Sequence, residues 1–342
     1  MSDIRPIIGI SMGDPAGIGP EIIVSALTRP QVQSYCRPIV IGDAFVIRRA
    51  CGFVGCSAEV ISIDQVDQAR FDPSVINVID LHNVDPTEAP LGKVSANAGN
   101  AAFEAVVRMI QLANAGQLDA TVTAPIHKEA LAKAGHHFPG HTEIFAHYTG
   151  TQDFTMMLAA GDLRVCHVST HVSLRQACDA VTRQRVLTVI RLGHDACVKL
   201  GIPRPRVGVA GLNPHASDGG LFGDEERLHI GPAVADARKL GIDATGPEAP
   251  DTFFAKAYGG AFDVCVAMYH DQGHIPVKCR GFKYDGKTGR WTSVNGINVS
   301  LGLPIVRVSV DHGTAFDQAG KGTASDASLL DALEYAAKLA RR

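Results

Sequence analysis

The 342-residue chain has no hydrophobic run approaching the roughly 20 apolar residues that cross a bilayer, so no membrane helix is expected. It has no basic excess either. Its 32 Lys and Arg stand against 35 Asp and Glu, a net charge of −3, which disfavours a nucleic-acid surface. Eight cysteines, at 36, 51, 56, 166, 178, 197, 265 and 279, form no CxxC pair. They read as reduced thiols of a cytoplasmic protein, mostly core filler. Aromatics are scarce, at 6% with a single tryptophan. The stretch Met1-Ser2-Asp3-Ile4-Arg5-Pro6 leads into about five apolar residues before Gly13-Asp14, too few for a signal peptide. No repeat, low-complexity tract or Pro/Ser linker is present.

What is present is 46% hydrophobic residues, 35 glycines and well-mixed charge, the composition of a globular α/β enzyme. The length suggests about two domains. Apolar β-branched runs alternate with helical patterns. Strands are expected at 7–11, 38–42, 74–80, 120–124, 206–212, 263–269 and 305–310. Segments 154–160 and 163–169 flank Gly161-Asp162, a two-residue hairpin turn. Helices are expected from about Pro20, over 101–113 and 128–134, from Thr182 to near Gly201, and over 327–340. The alternation implies largely parallel sheets covered by helices. With no linker, the two lobes should exchange chain segments.

Several clusters could carry chemistry. His171, His215 and His270 each follow an apolar run, where open α/β sheets hold ligands. Three imidazoles suit a catalytic divalent metal; the alternative is three separate hydrogen-bonded histidines. Gly140-His141-Thr142-Glu143 precedes a helical pattern, with Thr142 as N-cap. Such a helix start attracts anions, or is simply a cap. Gly13-Asp14-Pro15-Ala16-Gly17-Ile18-Gly19 is neither GxGxxG nor a P-loop, and reads as a tight turn or a ligand-facing loop. Lys278 and Arg307 are cations beside apolar strand patterns, needing an internal carboxylate or an anionic ligand.

Together these segments resemble the 4-hydroxythreonine-4-phosphate dehydrogenase (PdxA) family. The likeness runs through GDPAGIGPE (13–21), TAPIHKEAL (123–131), GHTEIF (140–145), STHVSLR (169–175), GLNPHASDGG (211–220), MYHDQGHIPVK (268–278) and NVSLGLPIVRVSVDHGTAFD (298–317). It implies an isocitrate-dehydrogenase-like α/β fold, with two α/β/α lobes around a central cleft. The first lobe is expected at 1–140 with 310–342. The second, 141–309, is expected to carry the interface of a homodimer. The resemblance implies His171, His215 and His270 as metal ligands. It implies substrate contacts from His141, Thr142, Lys278, Asn298 and Arg307. It also implies NAD, or NADP, bound without a Rossmann fingerprint, its contacts unassigned, and one divalent cation per site (Zn, Mg, Mn, Co or Ni).

The implied reaction is oxidation of the 3-hydroxyl of a small 4-phosphorylated four-carbon acid, followed by loss of CO2. Asp271 and Lys278 are the candidate bases. Residues 283–295 form an insertion relative to biosynthetic members, with a hairpin tip at 285–289 followed by Trp291. His274 and Leu221–Glu226 are more similar to a catabolic branch that acts on 4-phospho-D-threonate or 4-phospho-D-erythronate and forms dihydroxyacetone phosphate. The alternative is the amino-acid substrate of pyridoxal phosphate biosynthesis. A branch oxidising aromatic cis-dihydrodiol acids fits less well with Asn298 and Arg307. Outside this class stand a metal-dependent hydrolase and a non-catalytic metabolite binder.

Overall fold

The computed structural model of the protein describes residues 4–341, with backbone alone for 290–294; the opening Met1–Asp3 and the Trp291 side chain lie outside the described residues. The chain forms two compact units, Met1–Thr151 with Leu303–Arg342, and Gln152–Gly302. Both are mixed α/β, the class the sequence leads one to expect.

The first unit opens with β1 (Ile7–Ser11), α1 (Gly19–Leu27), α2 (Val32–Tyr35), β2 (Arg37–Gly42), α3 (Ala44–Val54), β3 (Glu59–Ile63) and β4 (Val75–Asp80). It continues through α4 (Ala96–Asn114), β5 (Ala120–Thr123), α5 (Lys128–Lys133) and α6 (His141–Thr149). The second unit holds β6 (Thr155–Ala160), β7 (Leu163–His167), α7 (Leu174–Ala180), α8 (Arg183–Lys199), β8 (Arg206–Ala210), α9 (Gly231–Lys239) and β9 (Asp243–Glu248). There follow α10 (Pro250–Tyr258), β10 (Val264–Ala267), α11 (His270–Gly281), β11 (Phe282–Asp285), β12 (Arg290–Val294) and β13 (Ile297–Leu301). The chain then returns to the first unit with β14 (Arg307–Val310) and α12 (Ala327–Ala340).

In the first unit the strands run β3-β4-β2-β1-β5-β14, each parallel to its neighbours. Continuous apolar runs such as Ile39-Val40-Ile41 suit strands covered on both faces. The apolar stripe of α4 (Val106, Met109, Ile110) packs with Ile39, Ile41 and Leu118. Gly99 lets α4 and α5 approach, since a Cβ there would lie 2.1 Å from the Ala130 carbonyl oxygen. Ile144 and Phe145 of α6 join this core, as do Leu303 and Ile305. Those contacts put the divisions of the compact units at 151/152 and 302/303, whereas the sequence reading draws them at 140/141 and 309/310.

The second unit orders its strands β13-β6-β7-β10-β8-β9. Here β13, β6 and β7 pair antiparallel, while β7, β10, β8 and β9 are parallel. The parallel expectation therefore holds for only part of this unit. The β6–β7 hairpin turns at Gly161-Asp162, with Gly161 left-handed at φ +57° as such a turn requires. Thr182 caps α8 as its position suggests, its hydroxyl accepting from the Arg185 N–H at 3.2 Å. The inserted residues form a separate antiparallel hairpin of β11 and β12. Among the described residues, no helix is long and apolar enough to cross a membrane. All eight cysteines are free; Cys36, Cys51, Cys166, Cys197 and Cys265 are buried, while Cys178 and Cys279 are exposed.

Candidate active site

In the second unit, β7, β10 and β8 lie side by side and parallel, so their C-terminal ends form one edge. His171 follows β7, His215 follows β8, and His270 opens α11 directly after β10. The rings of His171 and His270 stand 5.9 Å apart, centroid to centroid. His270 Nδ1 bonds Asp271 Oδ1 at 2.6 Å. A carboxylate on one imidazole nitrogen fixes the tautomer and leaves Nε2 as the donor, the arrangement that supports a ligating histidine. His171, His270 and Asp271, with Thr170, Ser173 and Tyr269, line an open cavity of about 490 Å³.

His215 does not join the pair. Among the described residues, no group of three His, Cys, Asp or Glu side chains is gathered closely enough to hold a metal. His215 sits in the turn Pro214–Gly220, whose backbone is left-handed from His215 through Gly219. That path costs about 1–2 kcal/mol at each non-glycine residue and determines where the imidazole is carried. The base of the turn is fixed by Glu226, a buried residue that the sequence reading placed only within the branch-like stretch Leu221–Glu226, with no role of its own. Its carboxylate accepts from the Leu212 and Asn213 N–H groups at 2.8 Å each and from Asn213 Nδ2 at 2.9 Å. Imidazole nitrogens backed by a carboxylate suit a divalent transition cation, so the donor chemistry of the His171–His270 pair fits one.

Behind the pair lie two further histidines. His274 stacks on His270, with centroids 3.6 Å apart and planes 13° apart. His167, at the end of β7, has zero exposure. Burial, helped by the neighbouring imidazoles, pushes the His274 pKa down to about 3 and that of His167 to about 4. Lys278 lies two turns along α11 from His270, its Nζ 4.5 Å from the centre of the Phe282 ring. Asn298, on β13, donates through Nδ2 to Met156 Sδ on the neighbouring β6.

The first unit carries a different kind of site. Arg307, the first residue of β14, is 2% exposed. Its Nη2 donates to Thr123 Oγ1 at 2.7 Å and its Nη1 to Thr142 Oγ1 at 3.4 Å. Burial pulls its pKa down to about 9, with Glu143 acting the other way, so it stays cationic at neutral pH. The expectation that Thr142 caps α6 is corrected. The helix starts at His141 with Gly140 as N-cap and no side-chain cap, and Thr142 lies inside the first turn. Its hydroxyl serves the guanidinium instead. His141 is only half-buried as a residue, but its Nε2 is covered and without a partner among the described residues. Burial first, and then the charge of Arg307, hold its pKa well below 6.5. A buried cation beside a covered, neutral imidazole suits an anion.

A second edge of this unit lies at the ends of β1, β5 and β14. The 13–18 loop threads between the other two: Asp14 N–H donates to the Pro125 carbonyl and Ile18 N–H to that of Thr314. Gly17 has no room for a side chain, since a Cβ would stand 2.8 Å from the Thr314 oxygen. Asp14 Oδ2, Ser11 Oγ, His127 Nδ1 and His312 Nε2 are buried here without partners among the described residues. Burial raises the Asp14 pKa to about 6, against the lowering effects of the Ala16 N–H and of His127. Buried polar atoms are rarely left unsatisfied, so this edge is suited to a polar ligand.

Known proteins resemble the chain along nearly its whole length. The family model described as pyridoxal phosphate biosynthetic protein PdxA matches residues 34–336. The D-threonate 4-phosphate dehydrogenase of Cupriavidus necator is 48% identical, covering 100% of this chain and 99% of its own. A putative D-threonate 4-phosphate dehydrogenase of Bradyrhizobium diazoefficiens is 47% identical, over 97% of this chain and 96% of its own. Among solved structures, a 4-hydroxythreonine-4-phosphate dehydrogenase from Burkholderia phymatum superposes with a TM-score of 0.83 at 46% identity, covering 98% of this chain and 99% of that one.

Proposed function

This chain belongs to the PdxA family, and from that premise we propose that it is an NAD-dependent dehydrogenase that oxidises the 3-hydroxyl of 4-phospho-D-threonate or 4-phospho-D-erythronate. Removal of the C3 hydride to the nicotinamide and of the hydroxyl proton to a base gives a 3-keto acid. Loss of CO2 from that acid leaves dihydroxyacetone phosphate. The observation that carries the reading is the buried Arg307 guanidinium, held by Thr123 and Thr142 at the start of α6, which in this reading recognises an anionic substrate. Full-length likeness to D-threonate 4-phosphate dehydrogenases favours a sugar-acid phosphate over the amino-acid phosphate.

In this reading His171 and His270 hold a divalent cation, with His215 as third ligand. When bound, the cation supplies electrophilic polarisation of the C3 oxygen and offsets the charge that develops on decarboxylation. Arg307 binds phosphate or carboxylate oxygens, with His141 and Thr142 beside it, and Asn298 holds a substrate hydroxyl. Asp271 is committed to His270 Nδ1, so the proton of the C3 hydroxyl falls to Lys278. The dinucleotide is assigned to the edge with unpartnered Ser11, Asp14, His127 and His312 atoms. The chain works as a cytoplasmic homodimer.

The test is NADH formation at 340 nm with Mg²⁺, Mn²⁺ or Zn²⁺. It compares 4-phospho-D-threonate, 4-phospho-D-erythronate and 4-phosphohydroxy-L-threonine. A kcat/KM at least tenfold higher for a sugar-acid phosphate is expected. Preference for the amino-acid phosphate would move the protein to vitamin B6 synthesis. No reduction of NAD with any of the three would overturn the dehydrogenase reading.

A further inference from the structure

His270, His274 and Lys278 recur every four residues along α11, and that spacing stacks side chains on one helix face. His274 Nδ1 donates to the His270 carbonyl oxygen at 2.9 Å, which fixes the orientation of its ring. That ring lies flat on His270. Its other neighbour is His167, 4.7 Å away between centroids. His167 is itself anchored, with Nδ1 3.2 Å from the Met156 carbonyl oxygen. Gly273 allows α11 to sit directly on His167, because a Cβ at 273 would stand 2.3 Å from its Nε2. Three imidazoles therefore run in contact from the core of the second unit out to His270, whose Nδ1 is gripped by Asp271.

We propose that His274 is a positioning residue for His270. Its ring forms a flat buttress that, together with the Asp271 grip, holds the His270 imidazole in one plane with Nε2 as the available donor. Asp271 alone fixes one nitrogen and leaves the ring free to swing about that bond. The stack removes the remaining freedom, so less ordering entropy is lost when a ligand binds. The inference rests on the reading that His270 holds a divalent cation.

The experiment measures Co²⁺ binding to the full chain by competition with a chromophoric chelator, together with the visible d–d bands of the Co²⁺-loaded protein. The variants are His274→Leu, His274→Phe, His274→Asn and His270→Ala. Outer-shell supports of metal ligands are worth about 10–100-fold in affinity. His274→Leu and His274→Asn, which lack a ring, should weaken Co²⁺ by about tenfold or more and shift the bands. His274→Phe keeps a flat ring and should stay within about threefold of wild type. If the leucine variant fails to fold, the asparagine variant carries the comparison. Wild-type affinity in the ringless variants would overturn the buttress while leaving the cation reading intact. Equal losses with Phe and Leu would also overturn it, assigning the effect to the hydrogen bond of Nδ1. If wild type binds no Co²⁺, or His270→Ala binds as wild type does, the cation reading itself falls.

Discussion

The two units treat their functional groups in opposite ways. The first buries a cation in advance: Arg307 is 2% exposed and held by two threonine hydroxyls from β5 and α6. The second keeps its functional imidazoles at the surface, with His171 and His215 exposed and only two of the three expected ligands near each other. Burying a guanidinium costs desolvation, and that cost is met during folding, so an arriving anion finds the donors already aimed. A cation site that used His171 and His215, both on exposed loops, would meet part of its ordering cost when the ligand arrives, although His270 is already held. Under the proposed function, the groups that meet substrate charge are fixed in advance, whereas the third ligand of the cation site would have to arrive on binding.

The most severe way to break this contrast is Arg307→Met. It should lower kcat/KM by on the order of a thousandfold, about 4 kcal/mol. Thermal stability should fall by about 1–3 kcal/mol, since Thr123 and Thr142 lose their donor, less than the catalytic loss. Arg307→Lys should not rescue activity, since an ammonium lacks the planar fork. A methionine variant within tenfold of wild type would show that the buried guanidinium is structural.

Asp14 sharpens the same contrast from the side of stability. Its folded pKa is about 6, above its ordinary value of 3.8. Between those values the folded chain holds a proton that the unfolded chain has released, so stability declines as pH rises through this window. Above pH 6 the buried carboxylate is charged and costs about 3 kcal/mol relative to pH below 3.8. Asp14→Asn keeps the acceptor for the Ala16 N–H and carries no charge. Denaturant melts should find it more stable than wild type at pH 8 and equal at pH 4. An advantage independent of pH would assign the effect to packing.

For the second unit the corresponding variant is His215→Ala. If the left-handed turn rearranges to bring His215 to the pair, the variant should bind Zn²⁺ at least tenfold more weakly, about 1.4 kcal/mol. Its melting temperature without metal should be unchanged, because the side chain is exposed. Unchanged Zn²⁺ affinity, read by calorimetry, would mean that His171 and His270 act without it.

Much of this arrangement was legible from local pattern. The strand Ile7–Ser11 and the helix Ala327–Ala340 match their expected ranges because a continuous apolar run and an amphipathic stripe are local signals. The three histidines stood out because each ends an apolar run. Four features were not legible. Thr142 looked like a cap because its partner, Arg307, lies 165 residues away in sequence. The helix His270–Gly281 carries Gly273, Pro276 and no apolar stripe, so tertiary packing rather than propensity maintains it. The edge strand Glu59–Ile63 is half exposed and gives little periodic signal. The imidazole stack could not be read at all, since β7 and α11 meet only in the folded unit.

The gentlest probe concerns the inserted hairpin, which starts at Phe282. Its ring lies 4.5 Å from the Lys278 ammonium, and a cation over an aromatic face at a partly exposed site is worth about 0.5–1 kcal/mol. Gly281 and Asn295 close the hairpin neck, the Asn295 N–H donating to the Gly281 carbonyl at 3.1 Å. The insertion is therefore tied at its root to the helix that carries Lys278. Phe282→Leu keeps an apolar residue at the neck and removes the π face. It should lower kcat/KM by roughly two- to fivefold, with Phe282→Tyr restoring it. A larger loss on 4-phospho-D-threonate than on 4-phosphohydroxy-L-threonine would make the hairpin a specificity element acting through Lys278. Equal small losses on both would make it a brace for the lysine alone, and no loss would separate the insertion from the chemistry.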